Sequence, residues 1–408
     1  MLGLKSAKRS VSMGVARTNE AIGERSGLLS STDDGTSPMI DKLKNATRVI
    51  FFQNYVNVLL VFVPLGILAE LLHWSPAARF TLNFFAIIPL ASLLSFATEE
   101  LALQVGQSLG GLLNASFGNA VELIVSVIAL TKGELRIVQA SMLGSILSNI
   151  LLVLGMCFAA GGFYYQEQEF NMTVAQTMSS LMAVGTTSLL LPAAFHLAVP
   201  NSQNLDSEIL FLSRGTAVIL LVIYCLYLFF QLKTHASFFD EANENEDEEA
   251  KISPYTAGAM LVVVTVIVAF CADFLVGSID EIVSETGISK TFVGLILIPI
   301  VGNAAEHVTA VVCSVNGKMD LAIGVSLGSA IQISIFMTPF LVVLGWAIGQ
   351  PMTLYFKSFE TITLFVAVLV VNYLLQDGKS NWLEGAQLMA TYIIIAIAFY
   401  IYPDSVAE

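Results

Sequence analysis

Eleven mostly apolar runs of roughly 19–29 residues follow one another from near residue 55 to near residue 402, each long enough to cross about 30 Å of hydrocarbon as a helix. They lie near 55–74, 80–104, 109–131, 135–163, 174–199, 209–233, 254–283, 288–315, 319–348, 353–376 and 380–402. In lipid every backbone N–H and C=O must find a partner within the protein, so such runs fold as helices. Only 12% of the residues are charged, against about 25% in a soluble domain. The expected fold class is an all-α polytopic membrane protein with about 11 transmembrane helices. Pro299, Gly302 and Gly328 interrupt the eighth and ninth runs, a pattern that survives in a membrane where the freed backbone lines a protein-enclosed cavity.

One polar stretch occurs twice inside these runs. Gly118-Asn119-Ala120-Val121-Glu122 returns as Gly302-Asn303-Ala304-Ala305-Glu306, 184 residues later. The offset holds without a gap: Gly110 matches Gly294, Gly133 matches Gly317, and Leu143-Gly144-Ser145 matches Leu327-Gly328-Ser329. The chain therefore reads as an internal duplication. The boundaries expected are a disordered tail over 1–50, a first transmembrane helix over 51–75, a five-helix repeat over 76–234, an acidic linker over 235–252, a second five-helix repeat over 253–403 and a short tail over 404–408. Five spans per repeat is an odd number, so the second repeat enters the membrane upside down relative to the first, and the two motifs meet near the midplane.

Twelve of the 18 Lys and Arg residues fall on one side: eight in the tail, with Lys233, Lys251, Lys318 and Lys379. Arg79, Lys132, Arg136, Arg214, Lys290 and Lys357 fall on the other, which puts the N-terminus in the cytosol and the C-terminus across the membrane. Between the repeats, Asp240, Glu241, Glu244, Glu246, Asp247, Glu248 and Glu249 make seven acids in ten residues. That stretch reads either as a solvated linker or as a regulatory segment that concentrates cations at the mouth. Cys157, Cys225, Cys271 and Cys313 lie in apolar runs without metal-ligand spacing. The net charge of −14 sits in polar segments, and no basic stripe suits nucleic acid.

Glu122 and Glu306 are the candidate cation and proton ligands. A carboxylate inside a bilayer costs about 3 kcal/mol and persists where something pairs with it. Neither has a Lys or Arg in the central part of its own run, so the partner is a cation or a proton. Asn119, Asn303 and carbonyls freed at Gly118 and Gly302 complete an oxygen set that suits calcium, which takes six to eight oxygens in flexible geometry. With 119 and 122 three apart, as are 303 and 306, each pair is expected on one helix face. A second polar stripe, Ser141, Gly144, Ser145, Ser148 and Asn149, with Gly328, Ser329 and Gln332 in the second copy, either lines a pathway or lets helices pack closely. His307 adjoins Glu306 and has no mate, since Leu123 holds that place; Glu99 and Glu100 could line an entrance.

The paired motifs, with Gln139-Ala140-Ser141-Met142-Leu143-Gly144-Ser145 and Asn381-Trp382-Leu383-Glu384-Gly385, resemble the alpha repeats of the calcium/cation antiporter superfamily. Within it the chain is similar to the CAX branch, and most closely to its fungal vacuolar calcium/proton exchangers. The resemblance covers nearly everything from residue 50 onward; the N-terminal tail shows no such match. It implies an inverted-repeat secondary transporter, not an enzyme, that carries Ca2+ from cytosol to vacuole as H+ leaves, with Mn2+ open as a further cargo and no cofactor. It implies Glu122 and Glu306 as central ligands and a regulatory role for the acidic segment. The rivals are a sodium/calcium or other divalent-cation antiporter, a passive channel, and an intramembrane enzyme. The sequence has no His-Glu-x-x-His or Walker A pattern to support the last.

Overall fold

The computed structural model describes residues 55–199, 203–236 and 250–403. The tail over 1–50, the seven acids between Asp240 and Glu249, and residues 404–408 lie outside the described residues. The helices are α1 (Val56–Leu71), α2 (Pro76–Val105), α3 (Gln107–Phe117), α4 (Ala120–Thr131), α5 (Leu135–Tyr164), α6 (Met172–Ala198) and α7 (Leu205–Thr234). They continue as α8 (Pro254–Thr286), α9 (Lys290–Gly302), α10 (Ala304–Val315), α11 (Met319–Ile348), α12 (Ser358–Leu374) and α13 (Trp382–Ile401). Seven of them are long and apolar enough to cross a membrane, and α9 with α10 makes a bent eighth. α1, α4 and α12 are shorter apolar helices.

Local chemistry sets many of the ends. Ser75 and Ser253 cap α2 and α8 ahead of Pro76 and Pro254, which lack the N–H that a first turn leaves unbonded. Asn171 caps α6, and Asn381 forms a capping box with Glu384 at the start of α13. Gly106, at φ 87°, ends α2 and lets α3 turn back at once.

Two expectations need correction here. Asn119 (φ −103°, ψ 33°) and Asn303 (φ −82°, ψ 6°) do not share a helix face with their glutamates; they stand in the breaks between α3 and α4 and between α9 and α10. Neither has helical backbone angles, Asn303 having the near-zero ψ of a chain leaving one helix for the next, and the second break bends by 55°. Nor does Gly328 interrupt a helix. α11 runs through it and widens instead into a π-helical stretch at Ile333–Met337, matched in α5 by one at Ser148–Val153. Such stretches shift the side-chain register of a helix and recur at functional sites.

The tenth run also begins later than its composition suggests. Residues 350–357 are an extended strap whose alternate residues Met352, Leu354 and Phe356 are buried. Gln139 of α5 donates to the carbonyls of Thr353 (3.2 Å) and Tyr355 (3.1 Å), and Ser213 of α7 accepts from the Leu354 N–H at 3.0 Å. A two-stranded antiparallel ladder, β1 (Gln168–Glu169) with β2 (Lys379–Ser380), ties the turn after α5 to the turn before α13. α5 and α13 themselves pack backbone to backbone. A Cβ at Gly162 would fall 2.5 Å from the Trp382 nitrogen, and one at Gly155 3.0 Å from the Gly385 carbonyl.

Candidate ion-binding site

The two helix breaks bring Glu122 and Glu306 into the interior. Each stands in the first turn of its helix, α4 or α10, where free N–H groups and the helix dipole favour a negative charge. The two carboxylates are not in equivalent surroundings. Glu122 is buried against Gly302: a Cβ there would lie 2.7 Å from its Oε1, an atom with no hydrogen-bond partner. Glu306 lines a cavity of about 610 Å³, and its Oε2 is also without a partner.

The asparagines differ in the same way. Asn119 is held at both ends of its amide: Nδ2 donates to Gln332 Oε1 at 2.8 Å, and Oδ1 accepts from Ser329 Oγ at 2.6 Å. Asn149 Nδ2 in turn donates to Ser329 Oγ at 2.9 Å, so a relay runs Asn149–Ser329–Asn119–Gln332 across residues from both copies of the repeat. Asn303 is fully buried, yet neither its Oδ1 nor its Nδ2 has a partner. With Asn149 Oδ1, four of the unpartnered buried oxygens among the described residues belong to the motifs and the relay: those of Glu122, Asn149, Asn303 and Glu306. Buried acceptors without donors are costly unless something positive satisfies them. Two carboxylates among neutral oxygens suit a hard divalent ion completed by water, or protons in its absence.

The cavity has a definite side. Glu99 at the end of α2, Asn171 before α6, Tyr227 and Gln231 near the end of α7, and Asp320 at the start of α11 all line it. It therefore opens on the face where α7 ends and α8 begins. On the opposite face ion pairs join residues before 235 to residues after 253: Arg79 with Glu281, Lys132 with Asp273 (2.8 Å), Lys290 with Glu134 (3.2 Å), and Arg136 with the fully buried Glu360. The strap at 350–357 closes the same face. Among the described residues, the cavity reaches Glu306 from the face where α7 ends and α8 begins.

The other candidates fall as follows. Ser329 and Gln332 are in the relay and the cavity wall, with Gly118 beside Gln332. Ser148 Oγ lies 3.3 Å from His307 Nε2, so the histidine faces α5. Ser145 is buried at the position that matches Ser329. Glu99 lines the cavity, accepting from Ser95 at 3.2 Å. Glu100 has a different task. It is buried and accepts the N–H groups of Lys251 (2.7 Å) and Ile252 (3.0 Å), anchoring the chain just before α8. Asn171 and Asp320 were not among the sequence candidates for the site, and Asn149 was read only as part of the second polar stripe. Asp320 had a signal: it stands where the first copy has Arg136, so the repeat inverts its charge there.

The sodium/calcium exchanger protein family matches the chain over residues 75–233 and 256–401. The vacuolar calcium ion transporter of Schizosaccharomyces pombe is 54% identical over 386 residues, covering 93% of this chain and 94% of that protein. The Ca(2+)/H(+) antiporter of Aphanothece halophytica is 42% identical, covering 85% and 96%. A solved structure of the Ca2+/H+ antiporter YfkE superposes with a TM-score of 0.73 at 35% identity, covering 87% of this chain and all of that one. By sequence and by fold alike, this chain belongs to the sodium/calcium exchanger protein family.

Proposed function

We propose that the protein is a secondary active antiporter that moves Ca2+ out of the cytosol into the vacuole in exchange for H+, by alternating access to one site at Glu122 and Glu306. The observation that carries this is a pair of buried carboxylates, each with one oxygen that no hydrogen bond satisfies, one packed against Gly302 and one lining a cavity. One site that holds either a cation or protons, and crosses the membrane only when its charge is met, couples the two flows. The proton assignment is supported by the names of the relatives, a vacuolar calcium ion transporter and a Ca(2+)/H(+) antiporter.

The energetics ask for more than one proton. Across two pH units each proton supplies about 2.7 kcal/mol. A 10⁴-fold calcium gradient costs about 5.5 kcal/mol. Two or more protons per calcium are needed, and two carboxylates can carry two.

The finer architecture is eleven transmembrane segments: α1, then two inverted halves of five. The broken pairs α3/α4 and α9/α10 each count as one segment. The two family matches support this division, as does the recurrence of break and π-helical stretch at the same offset. On this reading the N-terminus and the acidic segment Asp240–Glu249 face the cytosol, the cavity is the cytosolic vestibule, and the ion-paired face is lumenal. The acidic segment regulates uptake from beside that vestibule.

The deciding experiment is calcium uptake by the purified protein in proteoliposomes with an imposed pH gradient. The expected outcome is uphill uptake that a protonophore stops and a sodium gradient does not replace. Uptake driven by sodium at zero pH difference would assign another counter-ion. Flow that only ever reaches equilibrium would make the protein a channel.

A further inference from the structure

The offset of 184 residues pairs positions 110–145 with 294–329, and two matched seams within these stretches stand in opposite states. In the first, α5 packs on α9. A Cβ on Gly144 would fall inside the Leu295 carbonyl, and one on Gly294 would lie 2.8 Å from the Ala140 Cβ. The residues that match Ala140, Gly144, Gly294 and Leu295 are Gly324, Gly328, Gly110 and Gly111. In this second seam Gly324 and Gly328 line the cavity, and a Cβ on either would meet nothing within 4 Å. The closed seam is on the ion-paired face, and the open one is the cavity wall.

The open seam has a closed end. At its deep end Gly118 lies beside Gln332, and Asn119 is bonded to it. Gly110, Asn114 and Gly118 recur every four residues, so they share one face of α3, and Asn114 and Gly118 already line the cavity opposite α11. The two helices thus touch at Gln332 and diverge toward the mouth. All four positions of the open seam are glycine, where the closed seam has Ala140 and Leu295 at two of them. Side-chain-free positions on facing helices let backbones meet.

We propose that Gly324 and Gly328 of α11 are the seat onto which Gly110 and Gly111 of α3 dock when the cavity closes, as Ala140 and Gly144 now seat Gly294 and Leu295. This rests on the two-half antiporter reading. Two present contacts have to break as α3 swings in: Leu232 of α7, whose Cδ2 lies 2.5 Å from where a Gly111 Cβ would stand, and the Ala102 carbonyl of α2, 2.5 Å from where a Gly110 Cβ would stand. The role is positional: no glycine here touches the ion.

The test uses the full-length protein in proteoliposomes with Gly328→Val. The new side chain enters open space in the present conformation, so thermal stability and calcium binding from the cavity side should remain within about twofold of wild type. Proton-driven uptake should fall about tenfold or more, the scale of overpacking a tight helix contact. Should that variant fail to fold, Gly111→Cys paired with Gly328→Cys decides. Cross-linking the pair should stop uptake, and a thiol reductant should restore it. Wild-type uptake rates in Gly328→Val, or a cysteine pair that neither cross-links nor blocks, would overturn the docking while the antiporter stands. Wild-type protein that fails to couple calcium uptake to protons would instead overturn the antiporter reading.

Discussion

Glu122 and Glu306 carry the same charge in the same helical position, and their surroundings separate what each does. Glu306 lines the cavity, whereas Glu122 is packed against Gly302 beside the second break. Glu122→Gln and Glu306→Gln should each reduce proton-driven uptake to background while the protein stays in the membrane, read by vesicle uptake and by the quantity of protein recovered. The asparagines should part company. Asn119→Ala removes the acceptor of the Ser329 hydroxyl and the donor to Gln332 Oε1 and should destabilise by about 1–3 kcal/mol, visible as a lower melting temperature. Asn303→Ala removes an amide that bonds to nothing. It should leave the melting temperature within a degree or two and still weaken calcium binding. The two glutamates were legible in the sequence because a carboxylate in an apolar run has no cheap explanation. The difference between the asparagines was not, because it depends on which half of the molecule is open.

Among the helices, those with a break were the hardest to read. A run of apolar residues fixes that a segment is helical, but Gly118-Asn119 and Gly302-Asn303 turn the chain through backbone angles that composition does not encode. The strap at 350–357 was hidden for the opposite reason. Its alternating buried residues run on into α12, and only its bonds to Gln139 and Ser213 mark it as extended. On the face opposite the cavity Arg136 pairs with Glu360, which is fully buried and also caps α12 by accepting the Lys357 N–H at 3.1 Å. Removing one partner of a buried ion pair leaves an uncompensated charge, at about 3–5 kcal/mol. Arg136→Ala should therefore lower thermal stability in detergent more than Lys132→Ala, whose partner Asp273 is half exposed.

Across the whole molecule, the proposed arrangement of two inverted halves makes a prediction about sidedness. On that arrangement six segments separate the N-terminal tail from the acidic linker, so both should be labelled from the same side in sealed vesicles, with residues near Lys290 labelled only from the other. Opposite accessibility of tail and linker would require a different number of segments. Neutralising the seven acids between Asp240 and Glu249 to Asn and Gln should change the apparent calcium affinity or the rate, more at low salt than at high, since exposed charges are screened within about 10 Å at 0.1 M salt.

The seam between α5 and α13 bears on how the protein is made. Gly155 and Gly162 are covered by Gly385 and Trp382, residues synthesised more than 200 positions later. While the ribosome is still completing the second half, this stretch of α5 faces lipid with no side chains to fill the gap, and the β1 edge has no strand to pair with. The first half reaches its final packing only when the last helix inserts. Chains halted before Trp382 should accordingly be recognised and degraded by membrane quality control, even though they already contain both glutamates and every residue of the relay.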